Sequence, residues 1–382
     1  MRICHVTPHL PPDQAANALL PYHLGVWARE RGDEVAYVAH PPRAGEPAAA
    51  PGPVTWLPPV ARTGRLGRVL RVDALRAHRN YAKVLAPIVA AADLVHVHSN
   101  GLLAETAGLV AGRTGCPVVL TLYGTEIWHY RRKWPVDLFT RLYRRAAHVA
   151  FYSRGLLDRA DELGLSRPAA SVIYPPVADS FVWHDGSTQQ AERRRLGLVA
   201  RNVLVNVKRL HPLAGHRYLL EALPAVLEAH PDTAVVICGA GTLRDELQRE
   251  AGRLGVDRAV TFTGLVDNAL VARYCAAADY FVLPSLLEAC PTVAVEALAC
   301  GTPVISADHP GGVELHTLFG DEVCLVPRRD STALARAIIE HLHARRRTSA
   351  AAAEVLMREF RPAAVASRYW RVYEQVTTHD PA

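Results

Sequence analysis

The sequence predicts an α/β protein of two domains, and three observations carry that prediction. Its 382 residues exceed the roughly 250–300 at which a single hydrophobic core stops growing. Hydrophobic residues make up 50% and charged residues 21%, which excludes a highly charged disordered chain and permits a large interior. Short apolar runs alternate with longer helical patterns, as expected when helices cover both faces of a parallel sheet.

In the first half, strands are predicted at 2–6, 35–39, 94–97, 118–122, 148–152 and 171–173. Pro8, Pro11 and Pro12 stop the first strand before a helical run near 16–31, and Gly32 and Asp33 suit its exit toward the second strand. Residues 40–60 hold too many breakers for a sustained element, apart from a short strand at 54–57, and read as a surface excursion. Beyond them Arg62, Arg65, Arg68, Arg71, Arg76 and Arg79 accompany a helical stretch. This basic side reads first as a solvated face, with an anionic acceptor or a weak peripheral membrane contact as the alternatives.

Pro175-Pro176 and the polar stretch 185–190 read as an interdomain hinge, with the boundary near residue 180. A second strand series follows at 202–207, 234–238, 260–262, 280–283 and 304–306, with helices between. Residues 331–343 and 362–377 have helical patterns, and Tyr369, Trp370, Val372 and Tyr373 recur closely enough to fill an interface. The expected division is 1–180, 181–361 and a final helical segment 362–382.

The 43 Lys plus Arg against 37 Asp plus Glu make a modest basic excess, compatible with anionic substrates and weak as a sign of nucleic-acid binding. Seven scattered cysteines lack zinc spacing and read as buried free thiols of a reducing compartment. No secretory signal or membrane-length apolar run is expected, so the default location is the cytoplasm. His5, His96 and the other isolated histidines define no metal-ligand spacing, and no metal site is expected. A Gly-x-Ser-x-Gly elbow and a phosphate-loop signature are both missing, which lowers hydrolase and kinase readings.

Two glycine sites could bring backbone amides to an anion. Gly239-Ala240-Gly241 follows a strand, although Thr242 and Asp245 also match an ordinary helix cap. Pro310-Gly311-Gly312-Val313-Glu314 lies beyond another strand of the same series. Ligands collect outside the carboxyl ends of strands in open α/β domains, so the joint placement favours a nucleotide-binding edge. Arg209 emerges at the end of the 202–207 strand, where its planar donors suit a phosphate, while the adjacent Lys208 would turn to the other face. Glu288 falls in a loop and Glu296 inside an apolar helical run, where a carboxylate needs hydrogen-bond partners such as sugar or ribose hydroxyls. In the first half, His98 and Tyr123 to Glu126 follow strands and could recognise hydroxyls, with Glu126 an orienter or base.

The stretch from Pro284 to Ile305, with its spaced glutamates Glu288 and Glu296 and the segment Gly301-Thr302-Pro303-Val304, resembles the retaining glycosyltransferases of family 4, of GT-B fold. The resemblance runs over most of the chain and is stronger in the second half. It implies two Rossmann-like domains with parallel sheets facing an interdomain cleft. The second domain would hold a nucleotide-diphosphate sugar as co-substrate, with no separate cofactor. The first would select a polar small-molecule or glycan-precursor acceptor. Arg209 would bind the diphosphate, Glu288 the transferred sugar and Glu296 the ribose, and Gly311 and Gly312 would approach the phosphates. By the same comparison UDP is slightly favoured over GDP, and the reaction retains anomeric configuration without an obligatory metal.

Three departures stand out. Ala214 occupies the position of a lysine usual in the family, Ala15-Ala16-Asn17 replaces its paired glycines, and Tyr123 stands where a histidine is common. Tyr123 is therefore assigned to recognition or positioning. A GT-B epimerase, a phosphorylase or a catalytically weakened nucleotide-sugar-binding protein are the alternatives.

Overall fold

The computed structural model describes residues 1–13, 15–42, 45–60, 72–132, 137–165 and 169–378. Arg62, Arg65, Arg68 and Arg71 of the expected basic face lie outside them. The chain divides into two compact units, Met1–Pro175 with Val365–Ala382, and Pro176–Ala364.

The first unit is built on seven parallel strands: β1 (Arg2–Thr7), β2 (Glu34–Ala39), β3 (Val54–Trp56), β4 (Leu94–His98), β5 (Val118–Leu122), β6 (His148–Phe151) and β7 (Ala170–Val172). Their order is β3-β2-β1-β4-β5-β6-β7, so the direction of winding reverses between β1 and β4. Val95, Val97, Val119, Leu120 and Val149 are fully buried, because helices cover both faces and an alternating strand pattern would put polar groups inside. The last helix, Pro362–Thr378, contributes fully buried Tyr369 and Tyr373 to this unit, and the Arg31 guanidinium lies 5.3 Å from the Trp370 ring centroid.

The second unit repeats the plan with six strands: β8 (Asn202–Val207), β9 (Thr233–Cys238), β10 (Val260–Gly264), β11 (Tyr280–Leu283), β12 (Val304–Ala307) and β13 (Val323–Val326). The order β10-β9-β8-β11-β12-β13 puts its reversal between β8 and β11. Leu204, Val235, Ile237, Val282 and Ile305 of the sheet pack with Leu219, Leu223 and Ile338 of the helices in one cluster. Beneath them Arg193 and Asp279 form a buried ion pair at 2.7 Å. Arg193 also donates to the Ala277 carbonyl at 2.8 Å, and Asp279 accepts from the Val203 N–H at 2.7 Å.

Two local expectations are corrected. The polar stretch 185–190 is a helix start and not a linker: Asp185 accepts from the Thr188 N–H at 2.8 Å and opens the helix Gly186–Arg195. Thr242 and Asp245 do not cap the next helix, Arg244–Arg253, which begins after Leu243 without a side-chain cap. All seven cysteines are free, with Cys4, Cys238, Cys275 and Cys300 buried. Among the described residues no helix is long and apolar enough to cross a membrane.

Candidate functional site

The second unit gathers its charged groups where β8, β11 and β12 end, beside the reversal of strand order, the place an open parallel sheet offers a ligand. Gly239 and Gly241 create this edge by close approach. A Cβ at Gly239 would sit 2.0 Å from the Lys208 carbonyl oxygen, and one at Gly241 2.2 Å from that of Leu210. The segment 208–210 therefore lies directly on the glycine turn, held by Lys208 N–H to Cys238 O at 2.9 Å and Leu210 N–H to Ala240 O at 3.0 Å. The Gly239 N–H donates to Gly264 O at 2.8 Å, so its amide is not offered to an anion as expected. These glycines place Lys208 and Arg209 instead.

Arg209 is exposed and enters no ion pair among the described residues. Lys208 does not turn away: its Nζ lies 2.7 Å from Glu288 Oε1, an ion pair with the two side chains 26% and 16% exposed. Pairing across the strand end overrides the simple alternation of faces, because β8 stops at Val207 and Lys208 already belongs to the loop. Glu288 is tied from its backbone as well, its carbonyl accepting from the Gly311 N–H at 3.0 Å.

Glu296 sits on the helix Thr292–Ala299, half-buried. Burial pushes its carboxyl up to about 7, against the pull of the Lys208 charge, and no hydrogen bond contributes. Among the described residues this carboxylate has no hydrogen-bond partner, as a group that meets a hydroxyl-bearing ligand would.

The Gly311 and Gly312 amides expected to face phosphates are both engaged. Gly311 holds Glu288, and Gly312 N–H donates to His309 Nδ1 at 2.9 Å. The Val313 N–H donates to His309 O at 3.0 Å. His309 is fully buried, and burial holds its pKa down to about 4. The ring is therefore neutral and, accepting on Nδ1, carries its proton on Nε2 toward Ser306 Oγ at 3.4 Å. Gly312 has no room for a side chain, since a Cβ would come 2.3 Å from Ala307 O. His216, buried near the same edge, has no partner at either ring nitrogen among the described residues, and burial with the Lys208 charge lowers its pKa to about 4. Lys208, His216 and His309 are not singled out by the sequence for this edge; Lys208 and His309 sit just past the ends of β8 and β12, while His216 opens the helix His216–Ala229.

The first unit brings its expected residues together at the ends of β4 and β5. Tyr123 Oη lies 2.6 Å from His98 Nδ1, and its ring meets Tyr152 edge-on at 4.5 Å. Burial raises the Tyr123 pKa well above its ordinary value, so the phenol stays protonated. The surroundings narrow two of the expected roles. His98 is fully buried with both nitrogens engaged, the second 3.0 Å from His5 Nδ1, so it supports Tyr123 from behind. Glu126, 3% exposed, accepts from the Ser99 hydroxyl and from the N–H groups of Tyr123 at 3.3 Å and Gly124 at 2.8 Å. Its carboxylate shapes the loop and is not free to act as a base.

Behind these residues lies a cluster that linear spacing does not reveal. His5, His96 and His98 are buried together, with ligand-type atoms within 4.8 Å of one another. Parallel register places His96 beside His5, and His98 follows two residues along the same face. Burial keeps all three neutral. His96 lies 2.6 Å from Tyr373 Oη and 2.7 Å from Thr121 Oγ1, while His5 Nε2 has no partner among the described residues. The geometry gives the cluster a docking role for the final helix.

A family model described as "Glycosyl transferases group 1" matches residues 188–355, and one described as "Glycosyltransferase Family 4" matches residues 21–181. A GDP-mannose-dependent alpha-(1-6)-phosphatidylinositol monomannoside mannosyltransferase of Mycolicibacterium smegmatis is 32% identical over 253 residues, 64% of this chain and 65% of that protein. A D-inositol 3-phosphate glycosyltransferase of Corynebacterium jeikeium is 36% identical over 176 residues, 44% of this chain and 42% of that one. The chain thus spans less than two thirds of the length of these curated relatives. Among solved structures, that of Anabaena Alr3699/HepE in complex with UDP matches with a TM-score of 0.76 at 20% identity, covering 98% of this chain and 100% of that one. At that identity the likeness speaks for the fold.

Proposed function

This chain belongs to glycosyltransferase family 4, with the GT-B fold, and on that premise we propose that it transfers a sugar, with retention, from a nucleoside-diphosphate sugar to a polar acceptor. The observation that carries the reading is the strand-end cluster of the second unit: exposed Arg209, the Lys208–Glu288 pair and a Glu296 carboxylate without a hydrogen-bond partner among the described residues. Two cations suit a diphosphate and two carboxylates suit sugar and ribose hydroxyls. UDP is the first candidate base and GDP the second, the latter supported by the mannosyltransferase relative. A small molecule or glycan precursor is the acceptor, and its selection is assigned to the first unit, with Tyr123 as its positioning residue.

In this mechanism the bond from the anomeric carbon to the diphosphate oxygen breaks, and the acceptor oxygen bonds to that carbon on the same face. The acceptor proton passes to the departing phosphate. Charge grows on that phosphate as the bond breaks, so Arg209 stabilises the transition state more than the intact donor. Glu126 is bonded inward and His98 is buried with both ring nitrogens engaged, which favours the leaving group as the proton acceptor.

The test is a mass-resolved panel of UDP- and GDP-sugars against polar acceptors with purified protein. The expected result is acceptor-dependent release of nucleoside diphosphate with an acceptor heavier by one sugar. An isomerised donor without a heavier acceptor would mark an epimerase, and an intact donor that nevertheless binds would mark a binding protein.

A further inference from the structure

The Lys208–Glu288 ion pair joins a group suited to phosphate to a group suited to sugar, and in the structure each occupies the other. Three observations say that this pairing is not a sealed structural bridge. Both side chains keep solvent contact, at 26% and 16% exposure, unlike the buried Arg193–Asp279 pair at 4% and 6%. Lys208 stands within electrostatic reach of three other side chains of this edge, its charge acting on Glu296, His216 and His309. Ala214, in the turn Pro212–Ala214 just beyond Lys208 and Arg209, is buried and contributes no charge. Exposed Arg209 and Lys208 are therefore the cations at the end of β8, and Lys208 is already in use.

We infer that Lys208 exchanges partners on donor binding: its ammonium leaves Glu288 for the donor's diphosphate, and the released Glu288 carboxylate becomes free to accept hydrogen bonds from the sugar. The inference rests on the proposed donor site and adds an internal order to it, in which phosphate capture unlocks sugar recognition. Both states are balanced. Without ligand the lysine neutralises the glutamate; with ligand it neutralises phosphate, and sugar hydroxyls satisfy the glutamate. The pair is partly open to solvent, and because the ammonium passes from one anion to another it is not left unpaired in either state.

A double-mutant cycle on nucleoside-diphosphate affinity tests the exchange, using calorimetric titration of UDP and GDP into wild type, Lys208→Gln, Glu288→Gln and the double variant, with melting curves as the folding control. Lys208→Gln is expected to weaken binding about tenfold or more and to flatten its dependence on salt. Glu288→Gln removes the competitor for the ammonium and is expected to tighten nucleoside-diphosphate binding several-fold. That gain should vanish when Lys208 is already Gln. A tightening that persists in the Lys208→Gln background would mean simple charge repulsion between Glu288 and phosphate, and would overturn the exchange. Unchanged affinity in Lys208→Gln, or no tightening in Glu288→Gln, would overturn it equally. Should Lys208→Gln unfold, Lys208→Arg replaces it and is expected to retain binding and the Glu288→Gln gain; loss of that gain contradicts the inference. Wild type binding neither UDP nor GDP would instead bring down the donor-site reading itself.

Discussion

Arg209 and Glu296 make separable predictions for the proposed donor site. Arg209→Ala should reduce kcat/KM by about 10²–10³, the usual effect of removing one donor to a developing anion. Its melting temperature should stay at the wild-type value, because the side chain is exposed and unpaired in the described structure. Steady-state kinetics and a thermal melt check both halves. Glu296 makes the opposite kind of prediction. Its folded-state pKa is raised to about 7 from 4.5, so the folded protein holds this proton longer than the unfolded chain. The destabilisation is absent below the unfolded value, grows as pH rises to about 7 and is constant above. Glu296→Gln should therefore melt higher than wild type at pH 8 and alike at pH 4. A parallel pair of melting curves across that range would show burial of Glu296 to be wrongly assigned.

At the scale of elements, the strand ends do the positioning and a few buried polar contacts hold the elements in place. Tyr373→Phe would leave His96 Nδ1 without its partner under the final helix, which costs about 1–3 kcal/mol for a buried polar group, readable as a shifted urea midpoint. Asp279→Ala would strand buried Arg193, a change expected to cost about 3–5 kcal/mol, again by urea unfolding. Most of these elements were legible because apolar runs and turn formers punctuate them clearly. β13 was not: Val323–Val326 directly follows the 3-10 turn Gly320–Glu322, with no separate turn former between the two to mark where a strand begins. The helix start at Asp185 was misread because capping residues and linker residues are the same polar types. The histidine cluster was invisible because His5 and His96 meet only through strand register. Lys208 was turned the wrong way by extending strand alternation one residue past the strand.

Over the whole molecule, two parallel sheets of related order repeat one physical solution, each reversing its winding beside a candidate site. The proposed division of labour rests on the composition of those edges. The second unit's edge holds Arg209, Lys208, Glu288 and Glu296, whereas the first unit's edge holds neutral Tyr123 and His98 and an inwardly bonded Glu126. Nucleoside diphosphate should accordingly stabilise Pro176–Ala364 above all, by about 2.7 kcal/mol at a hundredfold excess over Kd. Hydrogen exchange with and without UDP or GDP tests this central assignment most directly. The account predicts protection concentrated at residues 208–216, 284–296 and 309–314; protection confined to the first unit around Tyr123 would contradict it.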